Sequence, residues 1–345
     1  MKISIVMGYY NRKKQLITTL ETIKKSKHKD FSVIIVDDAS NEEHKLNDII
    51  DNYDFPIKLI RIEPKNKTWK NSCIPYNIGF KHADGDIIII QNPEVCHIGD
   101  VMSYVNDNLE KDQYITFSCY ASPHYMYNDK LNDLINNVGD NDMTNYITNN
   151  FINKINYDNF KFSWKFYKSK YKDVAHLNLK RDLLKHWLTI GMKEDRICNG
   201  TSVYASNNLL KNKGWLNHPI YRNSSLHFLS ASYQQNIKKI KGFDESYKDG
   251  SCYEDNNFLL RMKQITKVSI IPPDKLFGIH QYHGYNSSFI FGSDKKMIKI
   301  NADLFKKLHE KIKNGDVYLT NYDNGIFSSN VPVQIYTNKF TSNYL

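Results

Sequence analysis

The stretch that most constrains the fold runs from Ala83 to His97. There Asp84-Gly85-Asp86 leads into Ile87-Ile88-Ile89-Ile90, and Gln91-Asn92-Pro93-Glu94 follows at once. Four consecutive isoleucines leave no face for water, so they read as a strand buried on both sides, the kind found in parallel sheets. Asp84-Gly85 supplies a tight turn before it. In an open α/β sheet, ligands bind just beyond the carboxyl ends of the strands. An amide and a carboxylate flanking a stiff proline at that place offer oxygens to a hard cation, which can in turn hold a diphosphate. Taken alone, Asn92-Pro93-Glu94 is better explained as an ordinary strand-end turn. The rest of the chain changes the balance.

The first 120 residues alternate short apolar runs with amphipathic ones. Strands are expected at Ile3–Met7, Ser32–Val36, Ile57–Ile62 and Ile87–Ile90. Lys14–Lys25 carries Leu16, Ile17, Leu20 and Ile23 at helical spacing, with lysines opposite. Further helices are expected at Glu42–Ile50, capped by Ser40 or Asn41, at Pro75–His82, entered through proline, and at Val101–Leu109. Repeated β-α-β units with short connections mean a mainly parallel, doubly wound sheet. Beyond Tyr120 the pattern changes to an Asn-, Asp-, Tyr- and Lys-rich stretch with helical pieces such as Asp182–Leu188. It reads either as an insertion over the sheet, a lid or acceptor-binding segment, or as a structural helical elaboration. Strands return at Leu226–Tyr233 and Val268–Ile271, the latter stopped by Pro272-Pro273. Glu254–Lys263 and Asp294–Lys313 read as helices, and the tail after them is weakly patterned.

Composition narrows the classes. A chain of 345 residues with 41% hydrophobic residues can bury one large core or two. Five scattered cysteines without a CxxC pair argue against a disulfide framework or a zinc site and suit a reducing compartment. The start, Met1-Lys2-Ile3-Ser4-Ile5-Val6-Met7, is too short for a signal-peptide core, and no apolar run is long enough to span a membrane. A cytoplasmic location is therefore expected. The net charge of +10 favours anionic ligands. The lysines are dispersed and not interleaved with aromatics on one face, so no nucleic-acid partner is expected.

Four blocks, in order, carry a resemblance. Ser4-Ile5-Val6-Met7-Gly8-Tyr9-Tyr10-Asn11-Arg12 opens the chain, and Val36-Asp37-Asp38-Ala39-Ser40 ends the second strand. Asn77-Ile78-Gly79-Phe80 leads through the isoleucine strand to Glu94. Gly242-Phe243-Asp244-Glu245 precedes Tyr253-Glu254-Asp255. Together they are similar to the GT-A glycosyltransferases of family 2 type, over roughly residues 1–120 and 225–290. The resemblance implies a nucleotide-sugar-binding half at 1–120, a mostly helical, acceptor-side insertion at 121–225, a catalytic and acceptor half at 226–290, and a C-terminal helix and tail at 291–345.

The resemblance also implies roles. Asp38 matches the family's uracil-binding aspartate, and a carboxylate can accept the uracil imide proton. Tyr10 is expected to flank the base, and Asp37 to reach the ribose region. Gly8, Asn11, Trp69, Asn77, Gln91 and Asn92 complete the expected donor pocket. The family's Asp-x-Asp falls on Asn92-Pro93-Glu94, a departure that leaves Glu94 as the charged metal ligand and Asn92 as a neutral one. In Gly278-Ile279-His280-Gln281-Tyr282-His283, His280 is the first choice for a further ligand and His283 the second. Imidazole suits Mn²⁺ somewhat better than Mg²⁺. Asp255 is the expected catalytic base, with Glu254 binding acceptor or starting the helix. Trp215, Tyr221 and Arg222 lie on an expected acceptor-side loop, although core packing explains Trp215 equally well.

The reading is thus an inverting hexosyl- or N-acetylhexosaminyl-transferase using a UDP-sugar and a divalent cation. Its acceptor is a glycan, protein or lipid-linked hydroxyl. Two alternatives remain. A sugar-nucleotide pyrophosphorylase would need a Gly-rich phosphate loop, which Gly8-Tyr9-Tyr10-Asn11-Arg12 lacks. A non-catalytic nucleotide- or carbohydrate-binding relic is motivated by Asn92.

Overall fold

The computed structural model describes residues 1–123, 125–138, 143–155, 163–191, 194, 196, 212–283, 295–314 and 327–342. Eleven strands form one mixed sheet: β1 (Ile3–Tyr9), β2 (Phe31–Asp37), β3 (Ile57–Ile62), β4 (Ile87–Gln91), β5 (Val95–Ile98), β6 (Gln113–Ala121), β7 (Trp215–Asn217), β8 (Leu229–Tyr233), β9 (Lys267–Ile271), β10 (Phe277–His280) and β11 (Val333–Thr337). The main path runs β11-β3-β2-β1-β4-β8-β6-β10-β5, with β7 and β9 also paired to β6. The amino-terminal strands β3, β2, β1 and β4 are mutually parallel. β8 is antiparallel to both β4 and β6, and so joins this parallel half to the second half.

Strand side chains alternate between faces, and the two faces of the parallel half feed two separate cores. Ile3, Ile5 and Met7 of β1 pack with Leu16, Leu20 and Ile23 of the Lys13–Lys24 helix and with Val101, Met102 and Val105 of the Val101–Asn108 helix. On the other face, Val6, Ile34, Ile88 and Ile90 meet Ile74, Tyr76 and Ile78 of the Cys73–His82 helix, together with Phe258 and Met262 of the Glu254–Ile265 helix. All four isoleucines of β4 are fully buried, as their run requires. Cys73, Cys96 and Cys119 are buried free thiols.

The Asn77-x-Gly79 motif has a packing reason. A Cβ on Gly79 would lie 2.4 Å from Val6 Cγ1, so only glycine lets this helix approach β1 so closely. Gly79→Ala should therefore overpack the interface. A loss of about 1–3 kcal/mol in urea-unfolding free energy is expected, against no change for an exposed Ala control.

Three elements differ from the sequence expectation. Glu42–Ile50 is not a helix; it forms two short 3-10 turns, Glu42–His44 and Ile50–Asn52. Neither Ser40 nor Asn41 caps it, for the Ser40 hydroxyl instead accepts the Asn11 N–H, and Asp48 is drawn to Lys13. Leu226–Tyr233 is strand only from Leu229, because the Leu226 N–H is taken by the Asn217 side chain. The tail is not merely a loose extension: β11 adds antiparallel to β3 at the sheet edge. The insertion contributes the helices Tyr125–Asn137, Met143–Asn150, Trp164–Lys170 and Lys180–His186. The helix expected from Asp294 begins, among the described residues, at Lys295 and runs to Lys313. No helix among the described residues is long and apolar enough to cross a membrane.

Candidate active site

The strand ends deliver their residues to one place. β1 ends in Tyr10, Asn11 and Arg12, β2 in Asp38, and β4 in Asn92-Pro93-Glu94. β10 is antiparallel to β5, and its register sets His280 opposite Val95, next to Glu94. Gln281 holds that junction by donating its backbone N–H (3.0 Å) and its side-chain amide (3.1 Å) to the Glu94 carbonyl.

Glu94 is almost wholly buried, yet charged. Its Oε1 accepts from Arg12 Nη1 at 2.6 Å and faces His280 Nε2 at 3.0 Å and His283 Nε2 at 3.5 Å. Burial by itself would raise its pKa, but the Arg12 guanidinium, His280 and His283 hold it well below the usual carboxylate range. Its other oxygen, Oε2, is buried without a hydrogen-bond partner among the described residues. The ligand atoms of Glu94, His280 and His283 lie within 4.8 Å of one another. One carboxylate with an uncommitted oxygen and two imidazoles form a donor set that fits a borderline divalent ion such as Mn²⁺. Asn92 stands beside this cluster, with its amide oxygen accepting from the Tyr76 hydroxyl at 3.1 Å.

A second group lies at the β2 end. Asp38 is buried and accepts from Trp69 Nε1 at 2.9 Å and Lys67 Nζ at 2.7 Å. Burial pushes its pKa up to about 6, although Lys67 and Trp69 pull the other way. Lys67 also sits 4.4 Å over the Tyr10 ring, which is about half exposed. Asp38, Tyr10, Trp69 and Lys67 thus form one patch. Lys67 was not among the residues the sequence singled out.

The third group is Glu254-Asp255, the first turn of its helix. Glu254 accepts from Asn71 Nδ2 at 2.7 Å and Ser72 Oγ at 3.4 Å. Burial raises both carboxyls, and the Asp255 charge raises Glu254 further. Arg222, on the loop after β7, acts on Asp255 in the opposite sense. A cavity of about 260 Å³ is lined by Gly8, Arg12, Asn92 and Pro93 together with Glu254 and Asp255; Arg12 ties it to Glu94, while the Asp38 patch lies outside its lining. His227 also lines it, kept neutral by burial that lowers its pKa to about 4.

Five expected contact residues are engaged by partners within the protein. Asp37 is fully buried, with its carboxylate paired to Arg61 and bonded to the Ser40 N–H. Gln91 is fully buried and bonds the Val95 carbonyl and the His97 ring. Asn77 bonds the Phe243 backbone on both sides and Glu245. It thereby fixes Gly242, whose φ of +70° suits glycine. Asn11 ties the β1 turn to the β2 turn through Ser40 and the Asn41 N–H. Trp215 is 7% exposed and packs edge-on against Tyr120 and Phe277, so core packing is its role. Tyr221 and Arg222 remain on the surface loop, with Tyr221 under Lys213. Arg12, Lys67, His227 and Gln281 were missed; Arg12 had a signal in its place in the opening block, and Gln281 in its place between His280 and His283.

Comparison with known proteins places the chain. Residues 4–175 match the family model of glycosyl transferase family 2. Over those residues, just under half of the chain, it is similar to that family, and its sheet with helices on both faces agrees with the expected GT-A type of fold. A Haemophilus influenzae uncharacterized glycosyltransferase is 28% identical over 127 residues, 37% of this chain and 41% of that protein. The amylovoran biosynthesis glycosyltransferase AmsB of Erwinia amylovora is 33% identical over 88 residues, 25% of this chain and 28% of that protein. The chain spans less than half the length of each of these curated relatives. Among solved structures, TarS 1–349 of S. aureus in complex with UDP-GlcNAc aligns at 13% identity and a TM-score of 0.45, covering 83% of this chain and 60% of that one.

Proposed function

We propose that the protein transfers a hexosyl or N-acetylhexosaminyl group from a UDP-sugar to an acceptor hydroxyl with inversion, assisted by a divalent cation. The observation that carries this reading is a cavity lined both by the Arg12–Asn92–Pro93 strand ends and by Glu254-Asp255. The Asp38–Tyr10–Lys67–Trp69 patch takes the uracil base. The β1 and β4 strand ends receive the diphosphate, and Glu94, His280 and His283 hold the cation. When bound, that ion neutralises the charge gathering on the diphosphate. Arg12, one guanidinium away from Glu94, adds a fixed positive charge at the same point. Asp255 takes the proton of the attacking hydroxyl, whose oxygen bonds the anomeric carbon from the face opposite the diphosphate as the sugar–phosphate bond breaks. One carboxylate suffices, because the leaving group needs no acid to protonate it, unlike in a hydrolase. A glycan, protein or lipid-linked acceptor fits the loop carrying Tyr221 and Arg222.

The test is nucleotide release across a panel of UDP-sugars, with and without Mn²⁺. Release from none of them would favour the non-catalytic reading.

Base recognition has its own test. In this reading the ionised Asp38, a stronger acceptor than the neutral acid, takes the uracil imide hydrogen bond, and burial pushes its folded pKa up to about 6. UDP-N-acetylglucosamine, whose diphosphate does not titrate in this range, should bind with constant affinity above that pH. Below it, affinity should weaken by about tenfold per pH unit, as one proton must leave on binding. Calorimetry from pH 5 to 8 checks this. Asp38→Asn should flatten the profile, and a wild-type affinity unchanged at pH 5 would remove Asp38 from the base site.

A further inference from the structure

The turn that delivers Glu254-Asp255 is strained. Cys252 and Tyr253, neither of them glycine, have consecutive positive φ values of 65° and 68°. Side-chain-bearing residues resist this region, so a pair of them in series persists only where the surroundings over-determine it. The surroundings here are the Lys295–Lys313 helix, which lies beyond the family-matching residues 4–175. Its Asn301 is fully buried and donates through Nδ2 to the Cys252 carbonyl at 2.8 Å and the Tyr247 carbonyl at 3.2 Å. The two bonds clamp both ends of the 247–252 loop. The Ser251 N–H reaches the Met297 carbonyl of the same helix, and Phe305 packs against Tyr253 with the rings tilted and their centroids 5.6 Å apart. Gly250 is moulded to the same side chain, for a Cβ there would lie 2.1 Å from Asn301 Oδ1.

We infer that Asn301 is a positioning residue for the candidate base: it holds the left-handed Cys252-Tyr253 turn and so sets where Asp255 points. This rests on the reading of Asp255 given above. It makes the C-terminal helix part of the active-site machinery although no atom of Asn301 lines the cavity. Displacing a reacting group by about 1 Å typically costs on the order of 10²-fold in rate, so a clamp of this kind acts on turnover more than on binding.

The test uses the full chain and whichever UDP-sugar of the panel the unmodified protein turns over. Asn301→Asp keeps the shape and removes both N–H donors. Gly250→Ala pushes the loop off Asn301 without touching that residue, which covers the case of an Asn301 variant that does not fold. Either should lower kcat by about 10–100-fold, with donor KM and UDP affinity within about twofold. Amide exchange should quicken at residues 250–256 but not along the rest of the Glu254–Ile265 helix. Cys252→Gly, which lets residue 252 take its φ without strain, should restore part of the kcat lost in Asn301→Asp. A folded Asn301→Asp with wild-type kcat overturns the inference. So does a loss shared equally between kcat and UDP affinity, or no rescue by Cys252→Gly. Asp255→Asn runs alongside: if that variant turns over normally, the assignment of the base has failed, independently of how Asn301 behaves.

Discussion

Asp255→Asn is expected to lower sugar transfer by about 10²–10⁴-fold, the usual scale for losing a positioned general base. The substitution keeps size and shape and removes only basicity. Asp255 sits in the first turn of the Glu254–Ile265 helix, where the helix dipole favours an anion, and its carboxylate accepts the Asn256 N–H at 2.7 Å. Against this, burial pushes its pKa upward. The raised pKa gives the sign of the pH effect. The base works only when ionised, so kcat/KM should fall as acid is added and level off toward neutral pH, with the limb above the ordinary aspartate range. UDP and Mn²⁺ affinities should stay near the unmodified values, because Asp255 is not among the groups gathered around Glu94, which are Arg12, His280 and His283. Glu254→Gln should act more on acceptor affinity than on turnover, for its carboxylate is already engaged by Asn71 and Ser72. Stopped assays with the panel donor, together with calorimetry for UDP, make the comparison. Transfer by Asp255→Asn at the unmodified rate would pass the role to another carboxylate, with Asp244 or Glu245 next in line.

Glu94→Gln should be the most damaging single change to metal-assisted donor binding. Glu94 is the one carboxylate of its cluster and is 1% exposed, with Arg12, His280 and His283 all directed at it. Removing its charge takes away the cation's anionic ligand and leaves Arg12 facing the two imidazoles. Breaking a fully buried ion pair from one side typically costs about 3–5 kcal/mol; Arg12 is 32% exposed and stays partly solvated, so a smaller fall in unfolding free energy is expected even without ligand. Mn²⁺-dependent tightening of UDP binding should disappear. Asn92→Ala should cost much less, since the Asn92 amide oxygen is held by Tyr76 and brings no charge. Titration of UDP with and without Mn²⁺, on variants first shown to be folded by circular dichroism, separates the two effects. A folded Glu94→Gln protein that keeps its Mn²⁺ response would remove Glu94, His280 and His283 as the cation site.

Much was legible in the chain itself because it depends on near neighbours. The isoleucine run dictates a strand buried on both faces, the 3.6-residue spacing of Leu16, Leu20 and Ile23 dictates a helix, and their alternation dictates layers. The strand-end positions of Asp38, Asn92 and Glu94 follow from the same local pattern, and the four motif blocks pointed to the family whose model residues 4–175 then matched. What the tertiary structure alone decided is which of those polar residues face the cavity and which hold the scaffold. Asp37 and Asp38 are adjacent in sequence, yet successive side chains of a strand end point to opposite sides, so Asp37 meets Arg61 while Asp38 meets Lys67 and Trp69. The bonds of Asn77 to Phe243 and the packing of Trp215 on Phe277 were hidden for a related reason: those partners are far away in sequence and meet only in the folded chain. The charge state of Glu94 depends on Arg12, 82 residues away, and the Cys252 turn depends on Asn301, 49 residues away. No local period encodes such pairs. Burial and long-range hydrogen bonding select them, because a polar group withdrawn from water must find whatever partner the closed fold brings within reach.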